Sequence, residues 1–293
     1  MISALAVAAL SLGLAQQTDT TFNVPASGSV AIENFGGSVN VRAWDRAQMR
    51  VRARHSSRTA LEIDVRGARV DIDVSGRMGP GQAEIEVTVP RAYGVRIEGV
   101  NTEINVDGAN GELNLETVNG NITVRGGRGR IQAESIQGAV RLEDANGRIQ
   151  VSSTNQGIRL RNVVGDISAE SVNGAILMYG VDSRAVAAET VNGAIEFEGR
   201  IYDNGHYGLA THNGRIVMAM PANANANVSV YTFNGKLSTG FDVDVRQSRS
   251  RGQFGFTLGR GGADVELESF GGSIQLVRPS EIQQRDLNPR RSN

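Results

Sequence analysis

Between residues 93 and 178 the chain repeats a pattern of apolar and polar positions every nine residues. Marks set at 93, 102, 111, 120, 129, 138, 147, 156, 165 and 174 fall on glycine seven times, and on Tyr93, Thr102 and Gln156 otherwise. The residues two and four places after each mark are apolar without exception, from Val95 and Ile97 to Ile176 and Met178. At a hydrophobic fraction of 40%, independent draws would give this run on the order of once in a hundred million. The residues one and three places after the mark are mostly polar, as in Asn121/Thr123 and Asp166/Ser168. Alternation of this kind predicts short half-buried strands.

A second period of about eighteen residues lies over the nine. Glu116-Thr-Val-Asn-Gly120 returns as Glu134-Ser-Ile-Gln-Gly138, Glu170-Ser-Val-Asn-Gly174 and Glu189-Thr-Val-Asn-Gly193. Looser copies end at Gly214, Gly235 and Gly272. Two short strands per coil of 18–21 residues is the simplest geometry, so the fold class is all-β, a single-stranded parallel β-solenoid with less regular β caps. In this reading Asn-Gly supplies positive φ at the corners. Asn119, Asn173 and Asn192 stack as an amide ladder, and the recurrent Thr or Ser two residues earlier stacks in the same manner.

The organisation predicted along the chain has four parts. Residues 1–15 form a signal peptide, an apolar run too short to span a bilayer comfortably and ending Gly13-Leu14-Ala15. Residues 16–92 are irregular coils and a cap, with strands at Met49–Arg54 and Ala83–Pro90. This portion also carries a strand pair, Leu61–Val65 and Val70–Val74, while Arg77–Gln82 is a loop and Trp44 lies at a turn. Residues 93–278 are the repeats, continuous with the preceding part. They loosen after Gly199, with a loop at 202–207, strands at Phe241–Val245, Phe254–Leu258 and Ala263–Leu267, and Gly272–Val277 closing the array. Residues 279–293 are polar and aperiodic and read as a disordered tail.

Composition narrows the chemistry. The 293 residues contain 36 glycines, no cysteine, and 30 basic against 31 acidic residues. Disulfides, thiolate metal sites and thiol nucleophiles are therefore absent, and no strong field favours nucleic acid. Aromatics at 5% argue against stacking platforms for bases or sugars. His55, His206 and His212 share no metal-binding spacing, and Glu143, Asp144, Asp166 and Asp182 form no dense carboxylate cluster. Catalytic, cofactor and metal residues are assigned to none. The surface candidates are Arg130 and Arg148, one coil apart on one face, with Arg141, Arg159 and Arg161 nearby, and a small apolar patch at Leu177 and Tyr179, which is either a docking site or, the favoured reading, covered by a loop.

The T-V-N-G and S-V-N-G corners, Val87-Thr-Val-Pro90 and Val41-Arg-Ala-Trp-Asp45 resemble the bacterial putative-adhesin family of β-strand repeat proteins. The likeness runs from about Phe22 to Val277, with departures at Gln156 and Arg184, where other residues stand for the corner glycine. It implies an exported protein with no catalytic residues to carry over. The expected function is a non-enzymatic binding, adhesion or scaffold role in the bacterial envelope or surface, its partner an envelope protein or glycan. The alternatives are a polysaccharide-active β-helix enzyme and an accessory of envelope-stress signalling.

Overall fold

The computed structural model describes residues 16–77, 79–243, 246–247 and 252–286. The proposed signal peptide and residues 287–293 of the proposed tail lie outside them. The chain divides into two compact units, residues 1–147 and 148–293.

The first unit is built from β1 (Gln16–Asn23), β2 (Ser27–Trp44), β3 (Gln48–His55), β4 (Thr59–Arg66), β5 (Arg69–Gly76) and β6 (Gly79–Pro80). It continues through β7 (Gln82–Pro90), β8 (Ala92–Asp107), β9 (Leu113–Thr117), β10 (Ile122–Arg125), β11 (Arg128–Ser135) and β12 (Val140–Glu143). Gly28 and Gly37, nine residues apart, lie in one strand, β2, which turns a corner and serves both faces of its coil. β8 does the same, pairing in parallel with β2 on both sides of the corner, Val30 beside Val95 and Val39 beside Ile104. β10 stacks on β8 and β12 on β10, and β9 and β11 extend the opposite face, at offsets of eighteen residues (Ile104, Ile122 and Val140; Leu113 and Ile131). On the far side of β2, β5 and β7 pair with it in parallel. Antiparallel β4 covers β5, and β3 followed by β1 covers β7. The expected strand pair at 61–74 is thus the β4–β5 hairpin, and the loop at 77–82 contains the two residues of β6 paired to β5.

The second unit opens within β13 (Asn146–Ser153) and runs through β14 (Ile158–Arg161), β15 (Ile167–Ser171), β16 (Ile176–Asp182), β17 (Ala185–Thr190), β18 (Ile195–Arg200) and β19 (His206–Thr211). There follow β20 (Ile216–Ala219), β21 (Ala226–Thr232), β22 (Leu237–Thr239), β23 (Arg246–Gln247), β24 (Gln253–Leu258), β25 (Ala263–Ser269), β26 (Ile274–Val277) and α1 (Pro279–Asp286). One face orders β13-β15-β17-β19-β25-β21-β24-β23 and the other β14-β16-β18-β20-β26-β22. Coil offsets grow from eighteen to nineteen to twenty-one residues, as Ile158, Ile176, Ile195 and Ile216 show. The segment expected to close the array does not do so. β25–β26 lies between β19–β20 and β21–β22, and antiparallel β24 lies beyond β21. The expected strand at 241–245 is not formed over 241–243, and its other residues are outside those described.

All twenty apolar positions of the nine-residue pattern are buried. Alternation in a strand sends every second side chain inward, so two inward residues per strand fill a narrow core. Between the strands, the corner glycines answer to a different constraint from the expected one. Gly120, Gly174 and Gly193 do not have positive φ. A Cβ on them would stand 1.7, 1.9 and 2.1 Å from a carbonyl oxygen of the neighbouring coil. Close stacking of backbones at the corner, not a left-handed conformation, excludes a side chain there.

The amide ladder is present. Asn119 donates to Asn101 at 2.7 Å, and Asn173, Asn192 and Asn213 each donate to the preceding asparagine of the series Asn155, Asn173, Asn192 at 3.0 Å. The hydroxyl residues behave otherwise. They turn inward and bond to backbone: Thr117 to the Thr102 carbonyl, Ser135 to Gly120, Thr190 to Gly174 and Thr211 to Gly193, at 2.8–3.0 Å. Ser135 and Ser171 also accept from the amides of Gly138 and Gly174. A buried hydroxyl must find partners, and the tight corner offers the backbone groups that strand pairing leaves over.

Residues 279–286, read as the start of a disordered tail, form α1. Pro279 suits the first helical position, and the Glu281 carboxylate accepts from the amide of Arg278 at 3.1 Å, one half of a capping box. Ile282, 1% exposed, anchors the helix on Val217, Ala219 and Val277.

Candidate functional site

The sequence-predicted arginines each meet local partners rather than one concentrated patch. In the first unit Arg130 lies 3.9 Å from Glu112, and Arg141 stands beside Thr123 on the other face of the coil. In the second, Arg148 lies 3.9 Å from Asp166, while Arg159 and Arg161 flank Leu177 and Tyr179 across the β14–β16 pair. The apolar patch there is covered, by α1 and not by a loop: Tyr179 packs against the Val217, Ala219, Val277 and Ile282 cluster. Its hydroxyl donates to Glu196 at 2.7 Å, and Arg215 donates to the other oxygen of that buried carboxylate at 2.8 Å. Tyr179, Glu196 and Arg215 form one hydrogen-bonded chain beside the cluster on which the helix sits.

The residue after each corner hydroxyl points outward, which leaves Val172, Val191, Phe270 and Phe233 exposed. His212 faces solvent in the same column and stacks on Phe270 at 4.8 Å, and Phe270 stacks on Phe233 at 5.0 Å. The rings present their faces to each other, so the pile is an aromatic continuation of the ladder beneath it.

A concave site lies in the first unit. The outer faces of β2, β7 and β3 enclose a depression of about 280 Å³ lined by Asn40, Arg42, Trp44, Arg50, Arg52 and Glu86 with the Val87–Thr88 segment. Strand alternation builds it. Val39, Val41, Met49, Val51, Ile85 and Val87 point into the core, so their neighbours point out. Register then sets two crosswise rows, Asn40–Glu86–Arg52 and Arg42–Thr88–Arg50, with Trp44 beside Pro90 at one end. Trp44 does not sit in a turn. It ends β2, donates its indole N–H to the Gln48 carbonyl at 2.7 Å, and carries the Arg46 guanidinium 5.2 Å from its ring centre.

The charges of the depression are unevenly balanced. Arg50 grips Asp19 of β1 with two nitrogens at 2.8 and 2.7 Å, and Arg52 lies 3.4 Å from Asp19 and 3.6 Å from Glu86. Arg50 holds the Asp19 carboxyl below the usual aspartate range, chiefly by these hydrogen bonds. Arg42 is different. Among the described residues no carboxylate oxygen comes within 4.0 Å of its guanidinium, although Asp107 is its lateral neighbour on β8. Glu86 is the single carboxylate of the lining, so a pair for acid–base chemistry is missing. Among the described residues no group of three His, Asp or Glu side chains could hold a metal.

Stacked parallel coils with antiparallel strands beyond their outer coils define a β-solenoid-like protein. The chain belongs to the Toastrack DUF4097 family, whose model matches residues 28–277. A crystal structure of a putative adhesin from Bacteroides fragilis NCTC 9343 is similar at 11% identity and a TM-score of 0.46, over 89% of this chain and 97% of that one. A putative cell adhesion protein from Clostridium sporogenes ATCC 15579 is similar at 8% identity and a TM-score of 0.31, over 90% and 100%. Among curated protein sequences no match is found.

The sequence reading missed the groove because its residues are spread from 40 to 88 and come together only through the order of β2, β7 and β3. One signal was available: Val41-Arg-Ala-Trp-Asp45 places the sole tryptophan in phase with an outward arginine.

Proposed function

We propose that this protein is a non-enzymatic binding protein of the adhesin type, acting at the bacterial envelope or surface, and that its Trp44 groove holds an acidic saccharide. The carrying observation is that Trp44 and Arg42 share one depression and that Arg42 has no carboxylate in ion-pair reach. An indole offers a flat apolar face to a sugar ring, while Asn40, Thr88 and Glu86 offer hydrogen bonds to hydroxyls. A guanidinium matches a carboxylate in a planar two-point fork. Of the arginines that line the depression, Arg50 and Arg52 are held by Asp19 and Glu86, which leaves Arg42 available to a ligand. The apolar run of residues 1–15 supports export. Among the described residues no helix is long and apolar enough to cross a membrane.

Calorimetric titration with uronate-containing, neutral and sulfated oligosaccharides tests the reading. Uronate oligomers are expected to bind, and Arg42→Ala to weaken them about tenfold, the loss of one charged hydrogen-bonding pair. Heat from none of the panel, or an Arg42→Ala protein that binds as well as the parent, would overturn it.

A further inference from the structure

A second cationic feature lies in the second unit, at the end of the coil formed by β16, β17 and β18. The guanidinium of Arg184 sits 4.8 Å from the ring centre of Tyr202, and that of Arg200 sits 4.6 Å from the same centre. Two like charges held against one ring lie within about a Debye length of each other, about 10 Å at 0.1 M salt, so they still repel. Each cation–π contact at an exposed site is a weak attraction and does not neutralise charge. Among the described residues neither guanidinium has a carboxylate oxygen within 4.0 Å. Asp182, beside Arg200 across the β16–β18 pair, is the nearby acid, and the Tyr202 hydroxyl donates to it.

The frame around the pair is fixed. Tyr207, 1% exposed, places its hydroxyl among three backbone groups of the segments that carry the site. It donates toward the Ser183 carbonyl at 2.8 Å, lies 3.3 Å from the Arg200 carbonyl, and accepts from the Tyr202 amide at 2.9 Å. The amide of His206 donates to the Arg184 carbonyl at 2.8 Å. Gly205 fits only without a side chain, since a Cβ would stand 2.6 Å from the Tyr207 ring. The backbone at Arg184, at Arg200 and at Tyr202 is therefore tied to one buried hydroxyl and its neighbours.

We propose that Arg184, Arg200 and Tyr202 form a binding site for a phosphoryl group. Two guanidiniums supply forked N–H donors of the kind that match tetrahedral oxyanions. An anion that accepts from both offsets their mutual repulsion, and the Tyr207 frame limits the ordering that binding must impose. The site is independent of the Trp44 groove and does not rest on the saccharide reading.

The test follows the arginine Nε–H resonances of the full chain while inorganic phosphate, glycerol phosphate or acetate is added at constant ionic strength. Phosphate is expected to shift the Arg184 and Arg200 signals selectively and saturably. Arg184→Ala and Arg200→Ala are each expected to weaken it about tenfold, and Arg200→Lys, which keeps the charge but not the fork, to recover only part. Tighter binding of glycerol phosphate than of inorganic phosphate would identify a phosphate ester as the natural ligand; equal binding would identify the free ion. Selective shifts absent at tens of millimolar phosphate, equal shifts with acetate, or all arginines moving together would overturn the proposal.

Discussion

Gly120 lies directly against Thr102 of the neighbouring coil: a Cβ on the glycine would stand 1.7 Å from the threonine carbonyl oxygen. That contact sets how closely the corners of the first unit can stack. Gly120→Ala is expected to push the coils apart locally and to cost about 3 kcal/mol or more, in the range of severe core changes. Gly129→Ala meets open space and only a positive φ of 97°, so its cost is expected near 1 kcal/mol. Thermal or urea melts of the two variants decide. Equal costs would mean that conformation, not coil spacing, governs the glycines.

Two buried tyrosines give a second contrast. Among the described residues the Tyr93 hydroxyl finds no hydrogen-bond partner, and burial pushes its phenol pKa up. The Tyr207 hydroxyl is bound to three backbone groups. Tyr93→Phe removes an unsatisfied group and is expected to be neutral or slightly stabilising. Tyr207→Phe strands its partners and is expected to cost about 1–3 kcal/mol. A Tyr93→Phe protein that melts as early as Tyr207→Phe would show that a partner for Tyr93 had been missed.

The inward and outward columns can be tested at adjacent residues. Ile149 is fully buried and Arg148 largely exposed. Ile149→Asp places a charge in a narrow apolar core and is expected to cost several kcal/mol, or to prevent folding. Arg148→Asp is expected to cost about 1 kcal/mol or less. Should the two losses match, the register of the second unit is wrong.

Acid is expected to loosen β1. Arg50 lowers the folded pKa of Asp19. A carboxylate with a depressed folded pKa contributes stability that is present above its unfolded pKa and lost as pH falls through the folded one. Protection of the β1 amides from hydrogen exchange should therefore drop below about pH 4. In Asp19→Asn the reduced protection should already be present at neutral pH. Parent-like protection in that variant would show that β1 is held by its backbone pairing with β3 alone.

What the sequence disclosed follows from what is periodic in it. Inward residues such as Ile122 and Ile176 repeat because every coil needs the same filling, and Asn173 and Asn192 repeat because each bonds to its like in the next coil. Properties set by spatial order were hidden. Nothing local tells that β25–β26 inserts between β19–β20 and β21–β22, because the pairing joins residues far apart in the chain, such as His206 and Asp264. The same holds for Arg42, Thr88 and Arg50, which become neighbours only when β7 lies between β2 and β3. α1 escaped because a short polar segment shows little period, and among its described side chains the deep contact is Ile282. The reason for the corner glycines was misjudged in a similar way: φ is a local property, whereas the clash at Gly120 belongs to the stack.

Trp44 is the only tryptophan in the chain, so emission excited selectively at the indole reports on the groove and on nothing else. Titration of the purified full chain with a uronate oligosaccharide, against a neutral oligomer of equal length, is the most direct test of the proposed function. A saturable change in Trp44 emission with the acidic ligand, weakened about tenfold in Arg42→Ala, is the predicted result. Emission unchanged by either saccharide up to millimolar concentration, or changed equally by both and insensitive to Arg42→Ala, would contradict it.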